Sequence, residues 1–379
     1  MDNLRSLELN KNQSYFLFGP RGTGKTTYLR KRFINSLYLD LLNKDLYFDL
    51  LANPSRLINI IGDHEHVIID EVQKIPDLLD IVHDLIERKK IHFILTGSSA
   101  RKLKKNNVNL LAGRAITAKM FPMTVGEIGE AFDLEFSLNF GMLPTLYDKN
   151  KKLDPDDYLK TYVDTYLREE IQAEGLTRNL GGFAKFLEVA SFSQAETVNM
   201  SEIARESSNT RKMVENYFSI LEDLLIAFFI PVFTKKAKRK LVAHKKFFFF
   251  DVGVYRTLRP KGFLDSTENV WGASLETLVV QELRAINFYK KLNYEIYFWR
   301  SQNGDEVDFV LYGEKELIAI EVKSSKKIDR KDFKGLFEFK KDYPMAQCFL
   351  LYCGDRIETY DFIKVLPVTT FLDSIGEYI

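Results

Sequence analysis

Apolar residues in the first third of the chain fall in short runs, separated by stretches with the period of a helix. Strands that alternate with helices are typical of a parallel sheet covered on both faces. The pattern therefore predicts an α/β domain over residues 1–125, with helices at 25–33 and 78–89. The runs with strand character are residues 15–18, 37–39, 67–69, 93–95 and 116–120.

The pattern then changes to helices followed by a hairpin. Helical periods at 125–132 and 155–174 predict a helical region over 126–190. Over 191–262, two helices joined by a polar turn and followed by an apolar hairpin are typical of a winged helix-turn-helix. Its elements are a helix that opens at 199, a turn at 207–210, a helix at 211–225 and strands at 226–233 and 241–250.

Residues 263–379 predict a small α/β domain with its own sheet. The order of its elements is helix, three strands, helix and strand. In chain order they are a helix at 271–288, strands at 295–300, 306–311 and 317–322, a helix at 330–341 and a strand at 347–351.

Composition is that of an ordinary globular protein. Hydrophobic residues make up 45% and charged residues 28%, and the net charge is +1, so any nucleic-acid contact would depend on a local basic patch. Cys348 and Cys353 have no second Cys or His pair nearby, which argues against a zinc site and indicates reduced thiols. No signal peptide opens the chain and no apolar run has membrane-spanning length, so we predict a cytoplasmic protein without a membrane partner.

The stretch between the first predicted strand and the first predicted helix carries the strongest chemical signal. It has the glycine and lysine spacing of a P-loop, whose backbone N–H groups surround the phosphates of a nucleotide. In that interpretation Lys25 reaches the β- and γ-phosphates of ATP, and the Thr26 hydroxyl holds Mg²⁺. The alternative is a glycine-rich turn without a ligand. The residues predicted to bind ATP are Gly19, Pro20, Arg21, Gly22, Thr23, Gly24, Lys25, Thr26 and Thr27.

Polar residues at the ends of the third and fourth predicted strands complete this site. Asp70 is predicted to bind Mg²⁺ directly or through water, and Glu71 to act as the general base for the attacking water. Thr96 is predicted to sense the γ-phosphate. The alternatives are a strand whose exit is acidic by chance and, after Thr96, a turn with a helix N-cap.

Arg114 is a candidate for stabilising the charge that develops on the γ-phosphate. It follows a glycine and precedes the fifth predicted strand. It could act within its own chain or from a neighbouring subunit, and the second mode would need a homo-oligomer. A solvated arginine is the alternative, and Arg101 is a second candidate for the same role.

The most basic stretch of the chain lies between the two strands of the predicted hairpin. Lys235 opens a run of six residues that contains five Lys or Arg, and Lys245 and Lys246 follow close by. We predict that DNA phosphates contact the winged helix and the segment 235–246. The alternative is a solvated hairpin tip, because winged helices also serve as protein-packing modules.

Four charged residues in the last domain predict a metal site. Side chains alternate along a strand, so Glu321 and Lys323 point the same way. If Asp308 on the neighbouring strand shares that face, two carboxylates and one ammonium converge, with Glu276 from the leading helix completing a metal shell. Lys323 would then steady or deprotonate a water that attacks a phosphodiester. The alternative is a strand with a charged, exposed face.

The whole chain resembles a family of bacterial and archaeal AAA-like P-loop ATPases that carry a C-terminal domain of unknown function. The C-terminal part is similar to the PD-(D/E)xK nuclease superfamily, although Val307 stands where that motif has proline. The resemblance implies ATP binding, a winged-helix middle and a restriction-endonuclease-like end. Its residues are 19–26, 69–73, 96–99, 111–114, 217–222 and 249–253 for the ATPases, and 299–300, 306–309 and 320–323 for the nucleases.

Two functions remain open at this point. The first is a Mg²⁺-dependent ATPase coupled to nucleic-acid binding, with metal-dependent nuclease activity in the C-terminal domain. The alternative is an ATP-dependent regulatory switch or scaffold protein whose nuclease-like domain is inactive.

Overall fold

The computed structural model describes residues 5–98, 111–167, 179–234, 245–260, 262 and 267–379. The chain divides into two compact units. The first comprises Met1–Phe121 with Ile220–Ile226, and the second comprises Pro122–Ser219 with Ala227–Ile379. The finer division at residues 125, 190 and 262 stays a prediction.

The first unit is built on a parallel five-stranded sheet, and all five predicted strands are confirmed. Its strand order is β2-β3-β4-β1-β5, and every neighbouring pair is parallel. The arrangement is that of a P-loop NTPase-like α/β domain. The strands are β1 (Ser14–Phe18), β2 (Leu37–Asp40), β3 (His66–Asp70), β4 (His92–Gly97) and β5 (Ala115–Lys119).

Helices cover this sheet, which explains the continuous apolar runs. All five residues of β1 are buried, because a parallel sheet packs helices on both faces. Leu79, Val82 and Leu85 of α4 lie in the same core as Phe16 and Phe93. The helices are α1 (Lys25–Arg32), α2 (Lys44–Ala52), α3 (Arg56–Ile61) and α4 (Leu78–Lys89).

Seven helices and a hairpin are described between residues 122 and 260, and residues 220–223 at the end of one of these helices belong to the first unit. The predicted helix over 155–174 changes to a π-helix at Tyr162–Leu167, and the rest of it lies outside the described residues. The hairpin strands β6 (Ala227–Ile230) and β7 (Lys246–Phe249) are antiparallel. Strand β6 is shorter than predicted, and residues 241–244 of the second predicted strand lie outside the described residues. The helices are α5 (Val125–Ile128), α6 (Leu134–Phe140), α7 (Pro155–Thr161), α8 (Leu180–Ser191), α9 (Met200–Glu206), α10 (Arg211–Asp223) and α11 (Val252–Leu258).

A mixed six-stranded sheet forms the rest of the second unit. The predicted strands here are confirmed, whereas two further strands, β12 and β13, were missed by the sequence reasoning. The strand order is β12-β13-β11-β10-β9-β8. The strands are β8 (Glu295–Arg300), β9 (Glu306–Tyr312), β10 (Leu317–Lys323), β11 (Gln347–Tyr352), β12 (Glu358–Tyr360) and β13 (Ile363–Pro367).

Helices pack on both sides of this sheet. Leu278 of the long helix α12 shares one core with Phe309, and Phe339 of α13 shares another with Val310. These helices are α12 (Thr267–Tyr289), α13 (Lys334–Asp342), α14 (Val368–Asp373) and α15 (Ile375–Tyr378). Within the described residues, no helix is long and apolar enough to cross a membrane.

Glu282 is a buried acid that makes stability depend on pH. Its carboxylate accepts hydrogen bonds from the Val125 backbone N–H at 3.1 and 3.3 Å. Burial, with a smaller contribution from the Glu127 carboxylate, raises the pKa of Glu282 to about 8. Between the pKa of this carboxyl in the unfolded chain and about pH 8, the folded chain keeps a proton on Glu282 that the unfolded chain loses. The free energy of unfolding therefore falls as pH rises through this range.

The Glu282→Gln variant is therefore expected to melt above the wild type at pH 8. Glutamine keeps an acceptor for Val125 N–H and carries no charge to bury, and each kcal/mol gained corresponds to about 2–4 °C in Tm. The gain should vanish near the pH where the unfolded carboxyl titrates. Thermal melts between pH 4.5 and 8.5, with the exposed Glu130→Gln as control, measure this effect. A lower Tm at pH 8 would contradict it.

Candidate functional sites

The glycine-rich loop links the end of β1 to the start of α1. Gly22 and Gly24 have φ of 80° and 88°, in the left-handed region that glycine adopts without strain. Gly24 is also the N-cap of α1. At the start of the loop, a Cβ on Gly19 would lie 2.4 Å from the Met120 carbonyl oxygen, so only glycine fits there.

The Lys25 ammonium lies inside this loop. Its Nζ donates to the Gly19 carbonyl at 2.6 Å and to the Pro20 carbonyl at 3.2 Å. The Thr23 hydroxyl donates to the same Pro20 carbonyl at 2.8 Å. Lys25 is 7% exposed, so the loop surrounds one buried positive charge at the carboxyl edge of the sheet.

The carboxylate of Asp70, the last residue of β3, accepts hydrogen bonds from three hydroxyl groups. The Thr26 hydroxyl donates to Asp70 Oδ2 at 2.9 Å, and Tyr38 OH donates to the same oxygen. The Thr96 hydroxyl donates to Asp70 Oδ1. The structure thus brings together Thr26, Asp70 and Thr96, which the sequence reasoning placed in one site.

Tyr38 is a member of this network that the sequence reasoning missed. Burial, followed by the hydrogen bond to the Asp70 carboxylate, raises the pKa of Tyr38. The phenol therefore stays protonated and keeps donating. Its ring also lies 4.7 Å from the guanidinium carbon of Arg30. No motif marks β2, and only the pairing of β2 with β3 places this tyrosine beside Asp70.

Glu71 follows β3 in a left-handed conformation, with φ of 61°. Its backbone N–H donates to the Thr96 hydroxyl at 3.2 Å. Its carboxylate accepts a hydrogen bond from the Gln73 side-chain amide, which also lies 3.4 Å from the Ser98 hydroxyl. Gln73 appears in the sequence analysis only within the segment 69–73 that carries the ATPase resemblance and was given no role, yet its side chain contacts the predicted general base.

These donors fit a nucleotide with its magnesium ion. The Thr26 hydroxyl and the Asp70 carboxylate are oxygen ligands of the kind that Mg²⁺ prefers. The Lys25 ammonium and the backbone N–H groups at the start of α1 are suited to phosphate oxygens.

Arg114 lies at the opposite edge of the sheet. It directly precedes β5, which is parallel to β1, and Ala115 pairs with Ser14 at the amino end of β1. The five residues of β1 separate this edge from the loop by about 15 Å, which is beyond the reach of an arginine side chain. Its guanidinium pairs instead with Glu87 on α4. In this structure Arg114 therefore does not reach the loop of its own chain, and its role in hydrolysis, within the chain or in trans, stays a prediction. Arg101 lies outside the described residues.

A second group of charges lies in the second unit, around Lys246. Its Nζ lies 3.1 Å from Glu276 Oε2, 2.7 Å from Glu306 Oε1 and 3.1 Å from Asp308 Oδ1. We call Lys246, Glu276, Glu306 and Asp308 the Lys246 cluster. Glu306 was missed as a site residue, although it stands two positions before Asp308 in the motif that carries the nuclease resemblance.

The position of Lys246 corrects the prediction that it contacts DNA phosphates. Its side chain is only 4% exposed, because all four residues of β7 are buried. An ammonium that is enclosed and paired with carboxylates is not available to phosphate. Lys245 is exposed, and residues 235–244 of the predicted basic segment lie outside the described residues.

Glu321 and Lys323 form a separate pair, with Lys323 Nζ 2.5 Å from Glu321 Oε1. Burial and then the Asp308 charge raise the pKa of Glu321 well above its ordinary value. Asp308 Oδ2 accepts the Val322 backbone N–H at 2.9 Å, so the two groups are neighbours. The predicted alignment of Glu321 with Lys323 is therefore observed.

The structure does not assemble Glu276, Asp308 and Glu321 into the predicted metal shell. Two ammonium groups divide these carboxylates between them. Among the described residues, no group of three or more His, Cys, Asp or Glu is placed to hold a metal ion. Burial and then the Asp308 charge raise the pKa of Glu276 to about 8, although the Lys246 ammonium opposes this rise. The role of Lys323 as a catalytic group stays a prediction.

Three family models match different parts of the chain. Residues 11–129 match a model described as an AAA domain, which supports a P-loop nucleotide-binding domain of the ATPase type. Residues 131–265 and 271–371 match two domains of unknown function, DUF8612 and DUF4143. Each model covers less than half of the chain.

Relatives of nearly full length are themselves uncharacterized. A protein of Mycobacterium tuberculosis is 24% identical over 383 residues, which cover 96% of this chain and 82% of the relative. One from Methanocaldococcus jannaschii is 25% identical over 349 residues, covering 83% of this chain and 76% of the relative.

Two solved structures show weak overlaps. The replication initiator DnaA bound to AMPPCP and single-stranded DNA is 15% identical, with a TM-score of 0.29, covering 56% of this chain and 82% of that one. Protein VC1899 from Vibrio cholerae is 13% identical, with a TM-score of 0.24 and 96% coverage of both chains. TM-scores this low do not establish a shared fold.

Proposed function

We propose that the protein binds ATP with Mg²⁺ and hydrolyses it. One observation carries the proposal: the Thr26 and Thr96 hydroxyls both donate to Asp70 beside the loop that encloses Lys25. The carboxyl edge of a parallel sheet is where such folds bind ligands. The match of residues 11–129 to an AAA domain supports the same conclusion.

Each polar group has a distinct role in this proposal. Lys25 releases the loop carbonyls and pairs with the β- and γ-phosphates, while Thr26 and Asp70 hold Mg²⁺. A magnesium ion held there would neutralise negative charge on the phosphates. Glu71, released from Gln73, accepts a proton from the attacking water. The Thr96 hydroxyl is hydrogen-bonded to both the Asp70 carboxylate and the Glu71 backbone N–H. A contact between Thr96 and the γ-phosphate therefore affects the positions of both residues.

Calorimetric titration of the full chain with MgATP tests the proposal. We expect one site per chain, weakened when EDTA removes the magnesium, together with release of phosphate over time. The absence of both binding heat and phosphate release would overturn the proposal.

We propose further that the middle of the chain is a winged helix that binds DNA. Helix α8, a bridging segment at 194–198, helices α9 and α10, and then β6 and β7 follow one another, and the bridging segment pairs with β7. Arg211 and Lys212 are exposed at the start of α10, the second helix of the helix-turn-helix, where they are accessible to phosphates. Arg211 is also paired with Glu215 at 2.8 Å.

Exchanging both charges should weaken DNA binding. The Arg211→Glu, Lys212→Glu variant is expected to lose about 10-fold or more in affinity for a labelled duplex, because two phosphate contacts become repulsive. Fluorescence anisotropy at several salt concentrations measures this loss. The Lys151→Glu, Lys152→Glu variant, which reverses two exposed charges ahead of α7, is the matched control. Equal loss in both variants, or none in either, would argue against α10 as the DNA-binding helix.

The proposal has two further parts, which concern Arg114 and the C-terminal domain. If Arg114 takes part in hydrolysis, it does so in trans, in a homo-oligomer of this chain. The order helix, three strands, helix and strand supports a nuclease-like fold at 263–379. The burial of Lys246 among its carboxylates favours the second function, a nucleotide-dependent switch or scaffold whose nuclease-like domain is inactive.

A further inference from the structure

We propose that the Lys246 ammonium is a built-in cation that takes the place of a divalent metal ion between Glu276 and Asp308. While β7 is seated, the domain that supplies these carboxylates neither binds a catalytic metal there nor cleaves a phosphodiester. The inference concerns the second unit alone and does not depend on ATP hydrolysis in the first.

The ammonium satisfies its own hydrogen-bonding capacity in this cluster. A lysine ammonium carries three N–H donors and no acceptor. Its three nearest carboxylate oxygens come from Glu276, Glu306 and Asp308, at 2.7–3.1 Å. Each of the three N–H donors thus has one carboxylate oxygen as its acceptor, which is the arrangement expected when the cluster is built to bind the lysine ammonium as its cation.

The surroundings of the ammonium also favour a cation at this position. The Lys246 side chain is 4% exposed, and oxygens of Glu276, Glu306 and Asp308 all lie within 3.1 Å of its nitrogen. These acidic groups outnumber the single ammonium, which is the condition under which a divalent ion would bind if the lysine were gone.

The spacing of the oxygens suits nitrogen rather than a metal. Magnesium takes oxygen ligands at about 2.0–2.1 Å. The carboxylate oxygens stand 2.7–3.1 Å from Nζ, so a metal at the same point would require each of them to move inward by about 0.6–1.1 Å. With Lys246 in place the oxygens keep this wider spacing, and the other oxygen of Asp308 accepts the Val322 backbone N–H.

The place of β7 in the chain gives Lys246 a fixed approach to the cluster. Lys246 pairs with Ile230 of β6, and its neighbour Phe247 donates its backbone N–H to the Glu196 carbonyl at 3.0 Å. The lysine thus comes from the proposed winged helix, whereas its partners come from α12 and β9. Because the ion pair joins these parts, a movement of the hairpin away from α12 and β9 would take the Lys246 ammonium out of the cluster.

A second feature lies beside the cluster. Glu321 is 6% exposed, and its Oε2 is buried without a hydrogen-bond partner among the described residues. Its other oxygen is taken by Lys323. The orphaned acceptor is available to an additional cation ligand once the adjacent Lys246 charge is removed.

Manganese binding to the full chain, without nucleotide, tests the inference in the wild type. Calorimetry or the electron paramagnetic resonance of free Mn²⁺ should give the same affinity and stoichiometry for the wild type and Asp308→Asn, because Asp308 is already occupied. Asparagine keeps an acceptor for Val322 N–H. A wild-type site that loses 10-fold or more in affinity in Asp308→Asn would overturn the inference.

A variant tests the converse. Lys246→Met removes the ammonium and keeps an unbranched side chain, so it should gain Mn²⁺ affinity of at least 10-fold over the wild type. The gain should disappear in Lys246→Met combined with Asp308→Asn. Lys245→Met, changed at the exposed neighbouring lysine, is the control and should bind like the wild type.

A folded Lys246→Met variant that binds Mn²⁺ no better than Lys245→Met would overturn the inference. Circular dichroism establishes whether the variant folds. If it does not fold, the comparison of the wild type with Asp308→Asn decides by itself, since it requires no change at Lys246.

Discussion

Replacing Glu71 with glutamine is expected to slow ATP turnover by about 10²–10³-fold while leaving MgATP binding nearly unchanged. Glutamine has almost the same shape and can keep the contact with Gln73, but its amide cannot accept a proton from water. Glu71 also keeps its backbone hydrogen bond to the Thr96 hydroxyl, which the substitution does not touch. The loss should therefore appear in the chemical step.

Phosphate release and calorimetry, measured on the same preparation, separate the two effects. Glu65→Gln is a matched control, because Glu65 is exposed just before β3, at the opposite end of the strand from Glu71. Turnover near that of the wild type in Glu71→Gln would assign the general base to another group. Equal losses in both variants would point to a general effect on β3.

Replacing Lys25 with alanine is expected to remove both binding and turnover. The variant loses a charge-assisted contact with phosphate, so its affinity for ATP should fall about 10–100-fold. Turnover at saturating ATP should fall about 10²–10³-fold further, because a donor to the developing charge is lost. In this structure the Lys25 ammonium donates to the Gly19 and Pro20 carbonyls of the loop that is proposed to bind the phosphates.

Lys31→Ala serves as the control for Lys25→Ala, since it removes an exposed ammonium from the same helix. Isothermal titration with ATP and with ADP gives both affinities. Unchanged ATP affinity in Lys25→Ala, with the fold intact by circular dichroism, would refute the assignment of the glycine-rich loop as the nucleotide site. Together, Lys25→Ala and Glu71→Gln distinguish a group that binds ATP from one that acts only in its hydrolysis.

Much of the fold could be predicted because its signals are local. The five strands of the first sheet are apolar runs bounded by polar turns, and each lies within a residue or two of its predicted position. The hairpin and the last two strands were harder. Strand β12 has three exposed residues and no apolar alternation, so its pairing with β13 leaves little trace in the sequence.

The nucleotide site could be predicted from short motifs, but its supporting residues could not. Lys25 and Thr26 are adjacent in the P-loop, and Asp70 and Glu71 end an apolar strand, so each pair is visible locally. Tyr38 carries no such signal. It reaches Asp70 only because β2 pairs with β3, and sequence spacing contains no information on that register.

Local residue patterns were enough to predict the alternation of strands and helices, the loop that can hold a phosphate and the types of residue around it. The tertiary structure decided which edge of the sheet each charge occupies, and so separated Arg114 from the loop. It also decided that Lys246 lies among carboxylates and not in solvent. Lys246 and Asp308 are 62 positions apart in the chain, and only the packing of strand β7 beside β9 and α12 gives the ammonium its partners. A charge run read along the chain cannot reveal this, because burial depends on which distant residues fold around it.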